Sequence, residues 1–277
     1  MGQHRSDKGG PATATSQDVR SGAAVLPSPA AGSTGYFASS QRPLQSLLFL
    51  LPLILIYEVG LLAYGTDQIG IERDIYARRL LHAFFGWFGV GVYYLPGLLV
   101  VVTLVILHLV QRDRWRIEPR LYAIMAVECL VLAVPLFVFG LVASVTGPTT
   151  ASLTVQASGP SAESWMADVV FGLGAGIYEE LVFRMLALAL LHALFADVLG
   201  LPDHWAATVS IGLSAIGFAC YHFNEATPIA WGRFVFYVLA GAYFAVLYLT
   251  RGFGVVAGTH AFYNFLVVTF GLLGRWR

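Results

Sequence analysis

Long apolar segments separated by short polar stretches dominate the chain from residue 44 onwards. Seven of these segments are long enough to cross a bilayer, because about 20 apolar residues in a helix span its hydrocarbon core. The predicted spans cover residues 44–64, 93–111, 121–146, 165–195, 206–223, 229–250 and 254–273. We expect the amphipathic segment Asp67–Gly91 to lie in the membrane interface, and an eighth span results if it crosses instead.

Composition supports the same fold class. Of the 277 residues, 57% are hydrophobic and 12% are charged, whereas a soluble domain carries about 25% charged residues. The sequence therefore predicts an all-α, polytopic membrane bundle of about seven to eight transmembrane helices. The formal net charge is zero, so no nucleic-acid partner is expected.

Three regions follow from this pattern. Residues 1–40 are rich in Ser, Gly, Ala, Pro and Thr, which is typical of a disordered tail. Residues 41–164 contain the N-terminal transmembrane helices with the interfacial segment, and residues 165–277 form a second transmembrane region. The loop of residues 111–120 holds four arginines, so we expect it and the tail to be cytoplasmic.

Polar and ionisable residues recur in three patterns inside the apolar helices of the last region. Such residues are costly in lipid and usually mark a function, because they need a partner or a wet cavity. The patterns are Glu179-Glu180-Leu-Val-Phe-Arg184, Phe218-Ala-Cys-Tyr-His222 and His260-Ala-Phe-Tyr-Asn264.

The two adjacent glutamates are expected to have different roles. Neighbours on a helix point about 100° apart, so the two carboxylates face different surroundings. Glu180 and Arg184 are spaced to form an ion pair on one face, whereas Glu179 has no cation at helical spacing. Glu179 is therefore the candidate general base. The alternative is a buried ion-pair network that only fixes helix packing.

His222 shares a helix face with Phe218, four residues earlier. The turn between these two spans centres near residues 200–201, so an antiparallel hairpin brings Glu179 and His222 to the same depth. His260 and Asn264 also share a face, and both can donate hydrogen bonds to a developing oxyanion.

The depth of His260 is a difficulty for this arrangement. His260 lies only about 12 Å along a helix from the predicted Gly252–Gly254 turn, whereas Glu179 and His222 are deeper. Helix tilt or a late helix start has to close the gap.

Single carboxylates and cysteines inside the spans are left open or read as structural. Glu58 and Glu128 either line a cavity, relay protons or hydrogen-bond a neighbouring helix. Cys129 and Cys220 lack CxxC spacing and are predicted to be buried thiols. The sequence contains no HExxH motif.

Together the three motifs resemble the CPBP family, which comprises CAAX-protease and bacteriocin-processing intramembrane proteases, also called the Abi family, with Rce1-type prenyl proteases among them. The resemblance covers about residues 165–273 and makes residues 165–277 the expected catalytic core. It implies catalytic roles for Glu179, His222, His260 and Asn264, and supporting roles for Glu180, Arg184 and Phe218. One departure is Met185, where the family often has glycine.

The resemblance implies an endopeptidase that cleaves a membrane-associated protein or peptide within or beside the bilayer. In a metal-free version, Glu179 activates water with His222, while His260 and Asn264 stabilise the oxyanion. In the alternative version, Glu179, His222 and His260 hold a divalent metal such as zinc. No particular cofactor is expected, and a divalent metal such as zinc is the alternative.

Two other readings stay open from the residues alone. One is a non-enzymatic transporter or scaffold with a structural polar cluster. The other is a rhomboid-like serine protease in which Ser214 and His260 form a dyad. Lys8 is the only lysine, which favours a G+C-rich bacterial genome, so the expected location is a bacterial inner membrane.

Overall fold

The regular secondary structure of the described residues is entirely helical. The structure, a computed structural model, describes residues 35–65, 75–89, 95–146, 162–223 and 231–273. Within these ranges there is no β-strand. The eight helices are α1 (Tyr36–Ser40), α2 (Pro43–Tyr64), α3 (Tyr76–Gly86), α4 (Leu95–Gln111), α5 (Pro119–Thr146), α6 (Ala162–Glu180, continuing unbroken to Val198), α7 (Asp203–Tyr221) and α8 (Trp231–Leu273). The predicted all-α membrane bundle is confirmed.

In the part of the chain that the structure describes, four helices are long and apolar enough to cross a membrane, judged by length and composition. They cover Pro43–Tyr64, Pro119–Ala143, Trp165–Val198 and Trp231–Phe270. The apolar helix Pro96–Gln111 is shorter. Of the seven segments expected, two lie together in α8, and those at 93–111 and 206–223 correspond to α4 and α7, which are not among these four helices.

α8 reverses direction at Gly252. This residue has φ 81° and ψ 176°, a backbone conformation that glycine adopts without steric cost. Along α8, the contacted positions of α5 decrease in residue number up to Gly252 and increase again after it. The contacts join Phe236 to Phe139, Tyr243 to Leu132, Val255 to Cys129 and Phe270 to Phe137. α8 therefore consists of two antiparallel arms, the first arm (231–251) and the second arm (253–273).

α6 and α7 form the antiparallel hairpin that the spacing of Glu179 and His222 predicts. Gly200 follows the end of α6 with φ 69°, the left-handed conformation that commonly terminates a helix. Pro202 then precedes the first turn of α7. Further along the hairpin, the Ser214 hydroxyl donates to the Phe183 carbonyl at 2.9 Å and joins the two helices.

Glycines on α6 allow two neighbouring helices to approach its backbone. A Cβ at Gly176 would lie 2.5 Å from the backbone nitrogen of Ala261, on the second arm. A Cβ at Gly174 would lie 2.3 Å from the Tyr57 ring, on α2. Small residues at a helix interface permit such close packing in membranes. This packing brings the second arm against the end of α6 that carries the two glutamates.

The short helix α1 is held on the bundle by an ion pair. Arg251 donates to both carboxylate oxygens of Glu128, at 2.6 and 2.8 Å, and to Ser40 Oγ at 3.0 Å. Tyr36 donates to the same carboxylate. Glu128 thus packs α5 against α8 and α1, which is one of the roles left open for it. The predicted tail of residues 1–40 differs from the structure in that Tyr36–Ser40 are helical.

The close contact at Gly176 yields a stability prediction. Gly176→Ala should lower the apparent Tm in detergent micelles, because its methyl group would overlap backbone atoms that cannot move independently. We expect a loss of about 1–3 kcal/mol. The matched control is Gly212→Ala, where a Cβ would meet nothing within 4 Å and the higher helix propensity of alanine should leave Tm unchanged or raised. Equal melting of both variants would contradict this packing.

Candidate active site

Glu179 and Glu180 lie where α6 changes its helical geometry. Both are the last residues of its α-helical part, and π-helical turns cover Leu181–Leu188. π-helical turns inside α-helices occur frequently at functional sites. The two side chains are 5% and 0% exposed, and they point to different neighbours.

Glu180 is the centre of a buried ionic network. Its Oε2 lies 3.0 Å from Arg184 Nε, and its Oε1 lies 2.7 Å from His260 Nδ1. Arg184 also donates to the Gly241 carbonyl at 3.0 Å, and its guanidinium lies over the Phe218 ring at 4.5 Å. The network therefore connects α6 with α7 and with both arms of α8.

Glu179 faces two imidazoles. Its Oε2 lies 3.8 Å from His222 Nε2 and 3.8 Å from His260 Nε2. These separations exceed a direct hydrogen bond. The same oxygen is buried and has no hydrogen-bond partner among the residues that the structure describes. Its other oxygen, Oε1, accepts a hydrogen bond from the Tyr221 hydroxyl at 3.2 Å. One carboxylate oxygen and two ring nitrogens from three helices thus converge on one point.

The hydrogen bonds of each ring assign its tautomer. His222 Nδ1 lies 2.7 Å from the Phe218 carbonyl, which can only accept, so this nitrogen carries the proton. His260 Nδ1 faces the Glu180 carboxylate and is assigned as a donor for the same reason. In the neutral rings both Nε2 atoms therefore present a lone pair toward Glu179.

Aromatic side chains hold both imidazole rings in place. The Tyr237 ring stacks on His222 with centroids 4.0 Å apart, and the Phe244 ring stacks on His260 at 4.5 Å. Sequence reasoning missed both aromatics. The sequence could have predicted the Phe244 contact, because Phe244 and His260 are equally distant in sequence from Gly252 and so lie side by side in an antiparallel hairpin.

Asn264 lies one turn beyond His260 on the second arm. Its Nδ2 donates to the Gly172 carbonyl at 2.9 Å. Within the described part of the chain, no hydrogen bond joins it to the other predicted site residues. Direct contacts thus bring together all of the predicted residues except Asn264, which is adjacent to the cluster: Glu179, Glu180, Arg184, Phe218, His222 and His260.

Two other candidates have different partners. The Ser214 hydroxyl is engaged with the Phe183 carbonyl, and in the ranges the structure describes it makes no hydrogen bond to His260. Glu58 accepts a hydrogen bond of 2.6 Å from the Tyr178 hydroxyl and so links α2 to α6.

The donor types at the site are those that zinc accepts, namely two imidazole nitrogens and one carboxylate oxygen. The Nδ1 hydrogen bonds of both rings are also usual for zinc-bound histidines. Ligand atoms of a tetrahedral zinc site stand about 3.4 Å apart, and the 3.8 Å separations from Glu179 Oε2 to the two Nε2 atoms are longer. Across the residues that the structure describes, no group of three or more His, Cys, Asp or Glu side chains is arranged to hold a metal ion.

Comparison with known families gives a match to the part of the chain that carries the three motifs. Residues 161–266 match the family model described as "Rce1-like: Type II CAAX prenyl endopeptidase Rce1-like". No curated protein and no solved structure matches the chain significantly. Residues 161–266 are thus similar to the Rce1-like family, whose description implies an intramembrane protease, and the apolar helices are those of a multi-pass membrane protein. This confirms the resemblance drawn from the three motifs.

The ionic network predicts that Arg184 is a structural requirement. Arg184→Met should destabilise the folded protein by about 3–5 kcal/mol, because it leaves the Glu180 carboxylate buried without its cation. The double variant with Glu180→Gln should recover part of the loss, since no unpaired charge then remains. Apparent Tm in detergent micelles measures both. Arg114→Met, which changes an exposed loop arginine, is the control. Similar melting of Arg184→Met and this control would refute the network's role.

Proposed function

We propose that this protein is a glutamate-dependent intramembrane endopeptidase that hydrolyses a peptide bond of a membrane-associated protein or peptide. The observation that carries the proposal is the buried Glu179 Oε2, which has no hydrogen-bond partner and faces both imidazole Nε2 atoms at 3.8 Å. A carboxylate held in that state has an acceptor position open for a proton.

Water is the proposed nucleophile. A water molecule about 2.8 Å from Glu179 Oε2 and from His222 Nε2 would fit between atoms 3.8 Å apart. Glu179 would act as general base and take one proton as the water oxygen attacks the peptide carbonyl. His222 Nε2 would accept the second hydrogen bond and orient the water, since Nδ1 is occupied by the Phe218 carbonyl.

The tetrahedral intermediate needs donors for its oxyanion. Asn264 has a second amide N–H besides the one that binds Gly172, and it can serve directly. His260 donates from Nε2 only when its ring is protonated. Glu180 at Nδ1 would stabilise that imidazolium, so its role extends beyond packing.

We propose that the reaction uses no metal ion. The 3.8 Å separation of Glu179 Oε2 from each imidazole Nε2 suits a bridging water, which supports this proposal. The substrate is proposed only by class. The single lysine suggests a bacterial inner membrane, where maturation of a secreted peptide or removal of a C-terminal anchor would suit an intramembrane protease.

Glu179→Gln is the decisive variant for the general base. It nearly preserves size, so the protein should fold and insert normally while cleavage falls at least about 100-fold. Substrates are found by comparing protein termini in membranes of cells that express native or Gln protein. Cleavage of one such substrate is then timed with purified protein.

The control for this experiment is Ser214→Ala, whose hydroxyl only bonds the Phe183 carbonyl, and it should retain activity. Normal cleavage by Glu179→Gln would remove the general-base role. Loss of cleavage in Ser214→Ala together with retention in Glu179→Gln would indicate a serine protease instead.

Metal dependence is tested separately. Purified protein incubated with 1,10-phenanthroline and then freed of the chelator should cleave at its original rate. The control is the same treatment without chelator. Activity that disappears and then returns on addition of zinc ions would replace the metal-free mechanism with a zinc-dependent one.

A further inference from the structure

The hydroxyl of Tyr221 connects Glu179 to a helix outside the matched family domain. It donates to Glu179 Oε1 at 3.2 Å and accepts from the backbone N–H of Ala77 at 2.9 Å. Ala77 lies on α3, which precedes residues 161–266, and it is fully buried. A backbone group 144 positions away thus contacts the residue before His222.

The position of Ala77 explains why its N–H is free for this contact. It is the second residue of α3, and the first N–H groups of a helix have no acceptor within the helix. The residue before α3, Ile75, supplies no side-chain cap. The Tyr221 oxygen fills that place, and the positive end of the helix dipole favours an electron-rich atom there.

This hydrogen bond fixes the direction of the Tyr221 O–H group. Because the oxygen accepts from Ala77, its hydrogen is directed away from α3 and toward Glu179 Oε1. The ring is held as well, with the Tyr76 and Phe183 rings each 5.3 Å away between centroids.

The consequence concerns the orientation of the carboxylate. When Oε1 is fixed by Tyr221, the other oxygen Oε2 is directed at His222 and His260. Without this anchor the carboxylate can rotate about its last bond, and the acceptor oxygen no longer has one position.

We infer that Tyr221 is a positioning residue for Glu179 and that the N-terminus of α3 holds it in its working orientation. This inference rests on the proposed function. It adds a residue that acts through Glu179, and it makes α3 part of the catalytic unit.

The first test is Tyr221→Phe, measured by steady-state kinetics on a substrate identified from membrane termini. Misplacement of a catalytic group by about 1 Å can cost 100-fold, so we expect kcat to fall about 10- to 100-fold. KM should stay within about twofold, because the hydroxyl is occupied by its hydrogen bonds with Glu179 and Ala77.

Two other tyrosines provide controls, the buried Tyr248 and the half-buried Tyr243. Among the described residues the Tyr248 hydroxyl has no hydrogen-bond partner, so Tyr248→Phe should change neither kcat nor apparent Tm. The Tyr243 hydroxyl donates to the Leu132 carbonyl, so Tyr243→Phe should lower Tm modestly while kcat stays unchanged. A Tyr221→Phe enzyme with native kcat, or with kcat and Tm both shifted only as in Tyr243→Phe, would overturn the inference.

The second variant removes the donor on α3. Ala77→Pro replaces this N–H by a ring methylene that faces the Tyr221 oxygen, and Ala77→Gly, which keeps the N–H, is its control. Ala77→Pro should lower kcat like Tyr221→Phe, and the double variant should be no slower than either alone. If the two substitutions instead lower kcat independently, so that their fold-losses multiply in the double variant, the α3 N–H does not act on Glu179 through Tyr221.

Failure of this inference is distinguishable from failure of the proposed function. If Glu179→Gln cleaves normally, the proposed function fails whatever Tyr221→Phe does. If Glu179→Gln is inactive and Tyr221→Phe is as fast as the native enzyme, only the positioning role fails.

Discussion

The buried contact of Glu180 with Arg184 and His260 is the constraint on which the site depends. An isolated charge is costly in a lipid-shielded interior, so each of these groups must keep its partner. Because the partners come from α6 and the second arm of α8, this requirement fixes how the two helices meet. It also fixes the tautomer of His260, so its Nε2 is presented to Glu179.

Two adjacent glutamates thereby acquire different chemistry from different surroundings. The Glu180 oxygens lie 3.0 Å from Arg184 Nε and 2.7 Å from His260 Nδ1, whereas Glu179 Oε2 lies 3.8 Å from each of the two imidazole Nε2 atoms. The close approach at Gly176 makes this division possible, because it lets the second arm lie near enough for His260 to reach α6. The same helix packing that stabilises the bundle therefore also places the carboxylates and imidazoles of the site.

Local spacing allowed the sequence to predict much of this site, and long-range packing accounts for what it missed. The pairing of Glu180 with Arg184 follows from their separation on one helix, and the α6–α7 hairpin follows from the turn at Gly200. The sequence left the depth of His260 unexplained because it assumed helices of similar length. α6 continues to Val198 past its contact with His260, whereas the second arm begins only after Gly252. Tyr221 was missed because its partner on α3 is distant in sequence.

In the mechanism that we propose, water activated by Glu179 attacks the peptide bond directly, without a covalent enzyme intermediate. Single-turnover cleavage in the presence of hydroxylamine tests this, with mass spectrometry of the new C-terminus. Our account predicts a free carboxylic acid alone, which carries one heavy oxygen when the solvent is H₂¹⁸O. A hydroxamate at that terminus would reveal an acyl-enzyme and contradict the account.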